Sequence, residues 1–319
     1  MSPAAFASLI LCNLVWSAHP MLGKIVLEHY TPAQGALLRY GGALAAYVVV
    51  ALGVRALDHR SGRAKAPLFA RPKGLRDWGW FAVAGLMPFC YAPALGMTGL
   101  RDTDATHGAL IIAMEPLITV LMAVLFLRDR FKLSHALAFA VSLLGFSLLS
   151  GLTPAAWARG LNPSEIGNLI LLVSLIGEGA YSVGVRKLTG RYPQLGIFGS
   201  ALAIGVAGLV AVSLVLPQHP PEPPLEAPPI PVWLALLWLG PLGTALGYWV
   251  WMRVLETASV ASMTLTLFIQ PVCGTLLGWL FLGDHLDLTQ FVGGVLILTA
   301  IGFQAGLGIS AKRPKILKK

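Results

Sequence analysis

The chain has 319 residues, of which 56% are hydrophobic and only 12% charged, where soluble domains carry roughly 25% charged residues. A mean hydropathy of +0.74 excludes a disordered chain, an all-soluble enzyme and a nucleic-acid binder, because the net charge of +9 has too little soluble surface on which to form a binding face. Cys12, Cys90 and Cys273 all sit in apolar runs, too few and too scattered for a disulfide framework or a four-ligand zinc site, so neither a metal nor a cofactor is expected.

An apolar run of about 20 residues crosses the hydrocarbon layer as a helix. Such runs fall at 3–27, 32–54, 78–99, 105–127, 133–150, 164–185, 195–216, 232–255, 259–282 and 288–307. The first is read as a membrane helix rather than a cleavable signal, since no Lys or Arg precedes Lys24. Thr31-Pro32 opens the second run and Asn162-Pro163-Ser164 the sixth, each a cap with proline in the first turn, while Gly151 ends the fifth. The proline-dense segment 217–231 cannot be helical and reads as a stiff loop, a spacer or a proline-rich recognition motif.

Cytoplasmic loops retain Lys and Arg. With the amino terminus inside, every basic residue beyond the runs falls on the inner side except Arg101 and Arg159, and Lys24 and Arg39 lie within runs. Both termini are therefore expected in the cytoplasm, with anionic headgroups of the inner leaflet as the partner of the basic charge.

Sliding the chain along itself by 155 positions lays Trp78 on Trp233, Gly85 on Gly240, Pro116 on Pro271 and Asp129 on Asp284. A shift of 161 or 162 extends the match weakly to the first two runs, Lys24 meeting Arg186 and Pro32 meeting Pro193. Five spans per unit is an odd number, so the second copy enters the membrane from the opposite side. Equivalent loops have swapped charge as that requires: Arg128-Asp-Arg-Phe-Lys132 aligns with Gly283-Asp-His-Leu-Asp287. The expected fold is an all-α membrane protein of ten transmembrane helices in two inverted five-helix repeats. The first repeat covers 1–151 and the second 164–307, joined by an outer loop at 152–163 and followed by a basic tail at 308–319. Inverted repeats recur in secondary transporters, with a binding site near the midplane.

Several motifs strengthen that expectation. Trp16-Ser17 and Lys24 stand in the first run, Leu38-Arg39-Tyr40 in the second, and Glu115-Pro116 leads through Leu125-Phe-Leu127 to Arg128-Asp129. Gln270-Pro271 leads to Trp279-Leu-Phe-Leu-Gly-Asp284, and Gly243-Thr-Ala-Leu-Gly-Tyr-Trp-Val-Trp251 fills the eighth run. Over its whole length the chain resembles the drug/metabolite transporter superfamily, specifically its ten-helix bacterial EamA-type members. Asp129 and Asp284 stand where that family more often has glutamate, and His19-Pro20 departs from the small polar residues it has there. The resemblance implies a multi-pass protein of the bacterial inner membrane that moves small organic metabolites, amino acids or toxic organic compounds among them, most readily as an exporter.

Ionisable groups within a bilayer are costly, so each asks for a partner or a task. Lys24 can snorkel to the interface or pair with Glu28 one turn on. Arg39 lies roughly 10 Å below the outer end of its span and Glu115 roughly 15 Å below its own, so the two can meet as an ion pair, a substrate site or a proton site. Glu178 lies deeper, as a protonatable cavity group or part of an inner vestibule. Pro116 and Pro271 each free a carbonyl one turn earlier, which makes the repeat-related Glu115 and Gln270 the first candidates for a central cavity. Trp16, Tyr91 and Tyr248 are aromatic at mid-span, either cavity lining or helix packing, and His19 lies toward the outer part of its span. The expected substrate or proton site is thus Glu115, Gln270, Arg39, Glu178, Trp16, His19, Tyr91 and Tyr248, with helix breaks at Pro116 and Pro271 and with protons as a partner if transport is coupled. Nucleotide-binding, metalloprotease and serine-hydrolase signatures are missing from the sequence. An uncoupled channel and a membrane-embedded enzyme are the rival classes.

Overall fold

Lipid offers a backbone amide no hydrogen-bond partner, so a chain this apolar has to satisfy its amides within helices. The computed structural model describes residues 3–60, 67–128, 132–215, 228–255 and 265–310, and among these there is no strand. Asp129, most of the 217–231 loop, the start of the ninth run and the tail after Ser310 lie outside the described residues.

Helices α1 (Pro3–Ser17) and α2 (His19–Leu27) form one rod interrupted at Ala18, and α3 (Pro32–Arg60) returns. Helix α4 (Leu75–Leu86) runs through a π-helical turn (Met87–Tyr91) into α5 (Ala92–Asp102). Next come α6 (Ala105–Ile112), α7 (Glu115–Leu127), α8 (Leu133–Leu149) and the short α9 (Pro154–Arg159). The second half holds α10 (Pro163–Leu188), α11 (Gln194–Val215) and α12 (Ile230–Leu237), which continues through a long π-helical stretch (Trp238–Leu246) into α13 (Gly247–Leu255). A 3-10 turn (Leu265–Phe268) leads into α14 (Ile269–Leu277), a third π turn (Gly278–Leu282) follows, and α15 (Leu288–Ser310) closes the described chain. Seven of the resulting rods are long and apolar enough to cross a membrane, and Leu133–Leu149, Ile269–Leu282 and Leu288–Gln304 are shorter apolar helices.

Helix ends follow local chemistry. Asn162 and Glu165 cap each other's backbone amides at 2.8 Å, with Pro163 in the first turn of α10. Thr31 and Gln34 do the same at the start of α3, and Gly151 leaves α8 at a φ of +67°, a conformation open mainly to glycine. Proline explains most of the breaks. Pro116 has no N–H for the carbonyl of Ile112, and the helix turns tightly at Ala113-Met114, where Met114 donates to Ile111 instead. Pro88 and Pro241 sit in the first two π segments, whose wider turns absorb the missing bond.

Two apolar cores hold the bundle. One joins α3, α4, α11 and α12 around Phe81, Phe89, Phe198, Leu202 and Leu239. The other joins α6, α7, α8, α10 and α15 around Ile111, Met114, Leu149, Leu171 and Ile297. Helix α3 packs on Trp238–Leu246, α11 on α3, α4 and Met87–Tyr91, and α8 on α15. The α8–α15 crossing is close enough to require glycine: a Cβ on Gly145 would lie 2.6 Å from the Gly293 carbonyl oxygen, and one on Gly293 2.5 Å from that of Gly145. Outward-facing side chains remain apolar, with Leu214, Phe281 and Leu125 exposed by 81%, 70% and 62%, the surface that a hydrocarbon solvent accepts.

Candidate functional site

A cavity of about 1100 Å³ lies between α1–α3, α5, α7, α10, α13, α14 and α15. Its walls carry Trp16, His19, Arg39, Glu115, Pro116, Glu178, Tyr248 and Gln270, together with Tyr40, Tyr181 and Trp251. The break before Glu115 is what sets that carboxylate into the cavity wall at the head of α7. The Glu178 carboxylate, on α10, lines the same cavity as Glu115 and Arg39, and Lys132 and Arg186 line it at one end, so three cations and two acids share the space.

Aromatic rings form the apolar wall. Tyr248 stacks on Phe198 with centroids 5.2 Å apart and planes 9° apart, and meets Trp16 at 5.9 Å and Tyr181 at 6.0 Å. Trp16 also packs on Trp251 at 5.5 Å and donates through Nε1 to the Gly243 carbonyl at 2.6 Å. Beside them Gln270 donates to Oδ1 of Asn13 at 2.7 Å, and Asn13, completely buried, donates to Thr266 Oγ1 at 2.9 Å and to the Leu9 carbonyl at 2.7 Å.

The cavity's two ends differ. Toward Lys24 the lining reaches Leu100 and Leu171, and polar ties join the helix ends there. Lys24 Nζ donates to the carbonyls of Leu100, Arg101 and Thr103 at 3.3, 3.1 and 2.9 Å, neutralising the negative end of α5. Asp284 accepts from the Thr106 amide at 2.8 Å at the positive end of α6, Thr103 bonds Asn168, and Arg159 bonds Glu165 at 2.5 Å. At the other end the lining runs out to helix-terminal residues: Lys132, Ser134, Arg186, Thr189 and Gln194. Nearby, Arg191 grips Asp77 at 2.6 and 2.7 Å, and Tyr192 donates to the same carboxylate at 2.5 Å. Burial and that hydrogen bond push the Tyr192 phenol above its ordinary value, so it keeps its proton at neutral pH.

The family profile for EamA-like transporters matches residues 4–151 and 165–304. This chain belongs to that family. It is 22% identical over 286 residues to an uncharacterized transporter of Bacillus subtilis, YyaM, with 90% of this chain and 88% of the relative covered. It is 25% identical to a probable terminal-alkyne amino-acid exporter of Streptantibioticus cattleyicolor, over 94% and 93% of the two chains. PecM of Dickeya dadantii is 29% identical over 65% of this chain and 67% of its own. A crystal structure superposes with a TM-score of 0.63 at 18% identity, covering 98% of this chain and 99% of the other, which shows a shared fold. The protein is a transporter rather than an enzyme, a multi-pass protein of the bacterial inner membrane with a small-molecule substrate.

Within this EamA-family fold most of the residues expected from sequence meet at one cavity, with two exceptions. Tyr91 sits in the first π turn outside the lining, its hydroxyl donating to the Val173 carbonyl at 3.4 Å, and Pro271 is buried in α14 one residue behind Gln270. The expected ion pair of Arg39 with Glu115 is not formed, and of the two readings of Lys24 the pair with Glu28 is not formed either. Arg39 makes no ion pair with Glu115 and instead donates to Nδ1 of His19 at 3.1 Å, because depth along two helices says nothing about the direction each side chain takes around its axis. Lys24 turns from Glu28 to the α5 carbonyls, which need a donor more than a surface carboxylate needs a counterion. Sequence reasoning missed Asn13 and Phe198. An asparagine in the middle of an apolar span was the available signal for the first; one phenylalanine among 13 carries none.

Proposed function

We propose that this EamA-family protein is a secondary transporter that exports small zwitterionic metabolites, amino acids foremost, by alternating access. The observation that carries the reading is the cavity itself: Arg39 for an anionic group, Glu115 and Glu178 for a cationic one, and the Trp16–Tyr248–Trp251 wall for an apolar or aromatic side chain. The Streptantibioticus relative named as an amino-acid exporter supports both the substrate class and the direction. A cavity that reaches helix ends on one side and is tied shut on the other fits one half of an alternating-access cycle and disfavours an uncoupled channel.

We also read the chain as ten spans in two inverted repeats, 1–151 and 164–307, with cytoplasmic termini. The seven long and three shorter apolar helices support the count. The packing supports the repeat: α3 lies on the π stretch of the eighth run as α11 lies on that of the third, and α8 lies on its own counterpart α15. Glu115 is the proposed proton-coupling group, Glu178 the second candidate, and Gln270 a neutral partner, since an amide does not titrate.

Counterflow of labelled amino acids in proteoliposomes tests the reading. Saturable exchange is expected, and non-saturable leak would favour a channel. Glu115→Gln should abolish the pH dependence of net transport while leaving exchange partly intact. A variant with the full wild-type pH response would make Glu115 structural.

A further inference from the structure

One cation of the cavity, Arg39, is held by a neutral group. Arg39 donates through Nη2 to Nδ1 of His19 at 3.1 Å, and its guanidinium lies over the Tyr40 ring at 4.9 Å. A guanidinium has donors only and stays protonated, so Nδ1 is the bare, accepting nitrogen and the ring proton sits on Nε2. That proton faces Gly243 and has no hydrogen-bond partner among the described residues. An N–H buried without an acceptor is a standing cost, and an apolar side chain would fill the same space without it. What the imidazole offers is Nδ1.

The seat for this ring is built by the eighth run. Any Cβ on Gly243 would overlap His19 Nε2 and lie 3.1 Å from Cε1, so only glycine leaves the ring its place. Pro241 and the π-helical stretch widen the backbone here, and Trp16 Nε1 fixes the same glycine through its carbonyl at 2.6 Å. His19 itself follows the interruption at Ala18, which directs it to Arg39 from the neighbouring helix. An aspartate or glutamate in the place of His19 would also orient Arg39, but it would cancel the charge. A neutral acceptor orients the guanidinium without cancelling its positive charge.

We propose that His19 is a positioning residue: seated against Gly243, it holds the Arg39 guanidinium in one orientation so that its remaining donors form a fixed site for the carboxylate of the substrate. The proposal rests on the zwitterion reading above. Its test is counterflow in proteoliposomes with two probes, L-phenylalanine and L-phenylalaninamide, at a pH of about 6, where both carry the ammonium group and differ in the carboxylate alone. His19→Leu should raise the KM for phenylalanine on the order of tenfold, the loss of one charge-assisted orientation, while the KM for the amide and both maximal rates hold. His19→Asn, whose Oδ1 takes the place of Nδ1, should restore the KM. In an Arg39→Ala background His19→Leu should change nothing further. Equal losses for both probes, or a loss additive to that of Arg39→Ala, would overturn the positioning role.

The parent reading fails differently. If Arg39→Ala leaves the phenylalanine KM unchanged, or the wild type carries neither probe, the zwitterion reading is wrong, and nitrogen NMR of histidine-labelled protein in nanodiscs decides the pairing without a substrate. A bare Nδ1 whose resonance moves on Arg39→Ala supports the positioning of Arg39 by His19. A protonated Nδ1, or a resonance indifferent to Arg39, overturns it.

Discussion

The polar ties at the Lys24 end of the cavity differ in kind from those beside the opening at its Arg186 end. At the Lys24 end, besides the side-chain ties of Thr103 to Asn168 and Arg159 to Glu165, charged side chains from distant parts of the chain bind bare backbone groups: one lysine takes three carbonyls at the end of α5, and Asp284 takes an amide at the start of α6. At the Arg186 end the ties are between side chains, Arg191 and Tyr192 on Asp77, and they stand beside the opening rather than across it. A charged group on a helix terminus satisfies what the helix lacks and opposes its dipole at once. It therefore fastens the end of a rod without needing a matching side chain, and it can be released without leaving a buried charge pair behind.

The largest expected effect breaks this contrast at its stronger side. Lys24→Met leaves three carbonyls with no donor and should cost about 3 kcal/mol, read as a lower midpoint of thermal unfolding. It should also open the closed end: a cysteine placed at Leu100 in a cysteine-free background, protected in the parent from an impermeant maleimide added on the Lys24 side alone, should become reactive from that side. If Leu100 stays protected in the Lys24→Met variant, the Lys24 contacts do not close the cavity.

A second change acts about 16 Å along the α1–α2 rod from Lys24, toward the open end. Asn13→Leu strips the Gln270 amide of its acceptor inside an apolar wall and should cost about 2 kcal/mol, whereas changing both Asn13 and Gln270 to leucine should be milder. A double variant as unstable as the sum of the two single ones would show that the bond between them contributes nothing. The smallest effect lies between the ends. Because Arg39 is bound to His19 and not to Glu115, Arg39→Ala and Glu115→Ala should add within about 0.5 kcal/mol in a double-mutant cycle of stability, and a coupling well above that would restore the ion pair that depth alone suggested.

Much of this molecule was legible as sequence because the bilayer leaves few choices. The apolar runs, the capping prolines at Pro32 and Pro163 and the break before Pro116 all follow from backbone groups that have no water to bond. Glu115, Glu178, Arg39, Gln270 and Trp16 could be singled out because a polar or mid-span aromatic group in lipid needs a reason. Tyr91 was singled out by the same argument, yet its π turn rotates it to Val173, a rotation that a period of 3.6 does not anticipate.

By itself, then, the sequence determined which segments become helices, where they break and which residues are too polar to face lipid, since each of these is set by neighbours in the chain and by the solvent. Tertiary structure alone decided who meets whom. Lys24 finds α5 rather than Glu28, Arg39 finds His19 rather than Glu115, and Gln270 finds Asn13, because those choices depend on helix rotation and crossing. Rotation and crossing are set by close glycine contacts such as Gly145 on Gly293 and by the widened turn at Gly243, sums of packing over the whole bundle that no single stretch of chain contains.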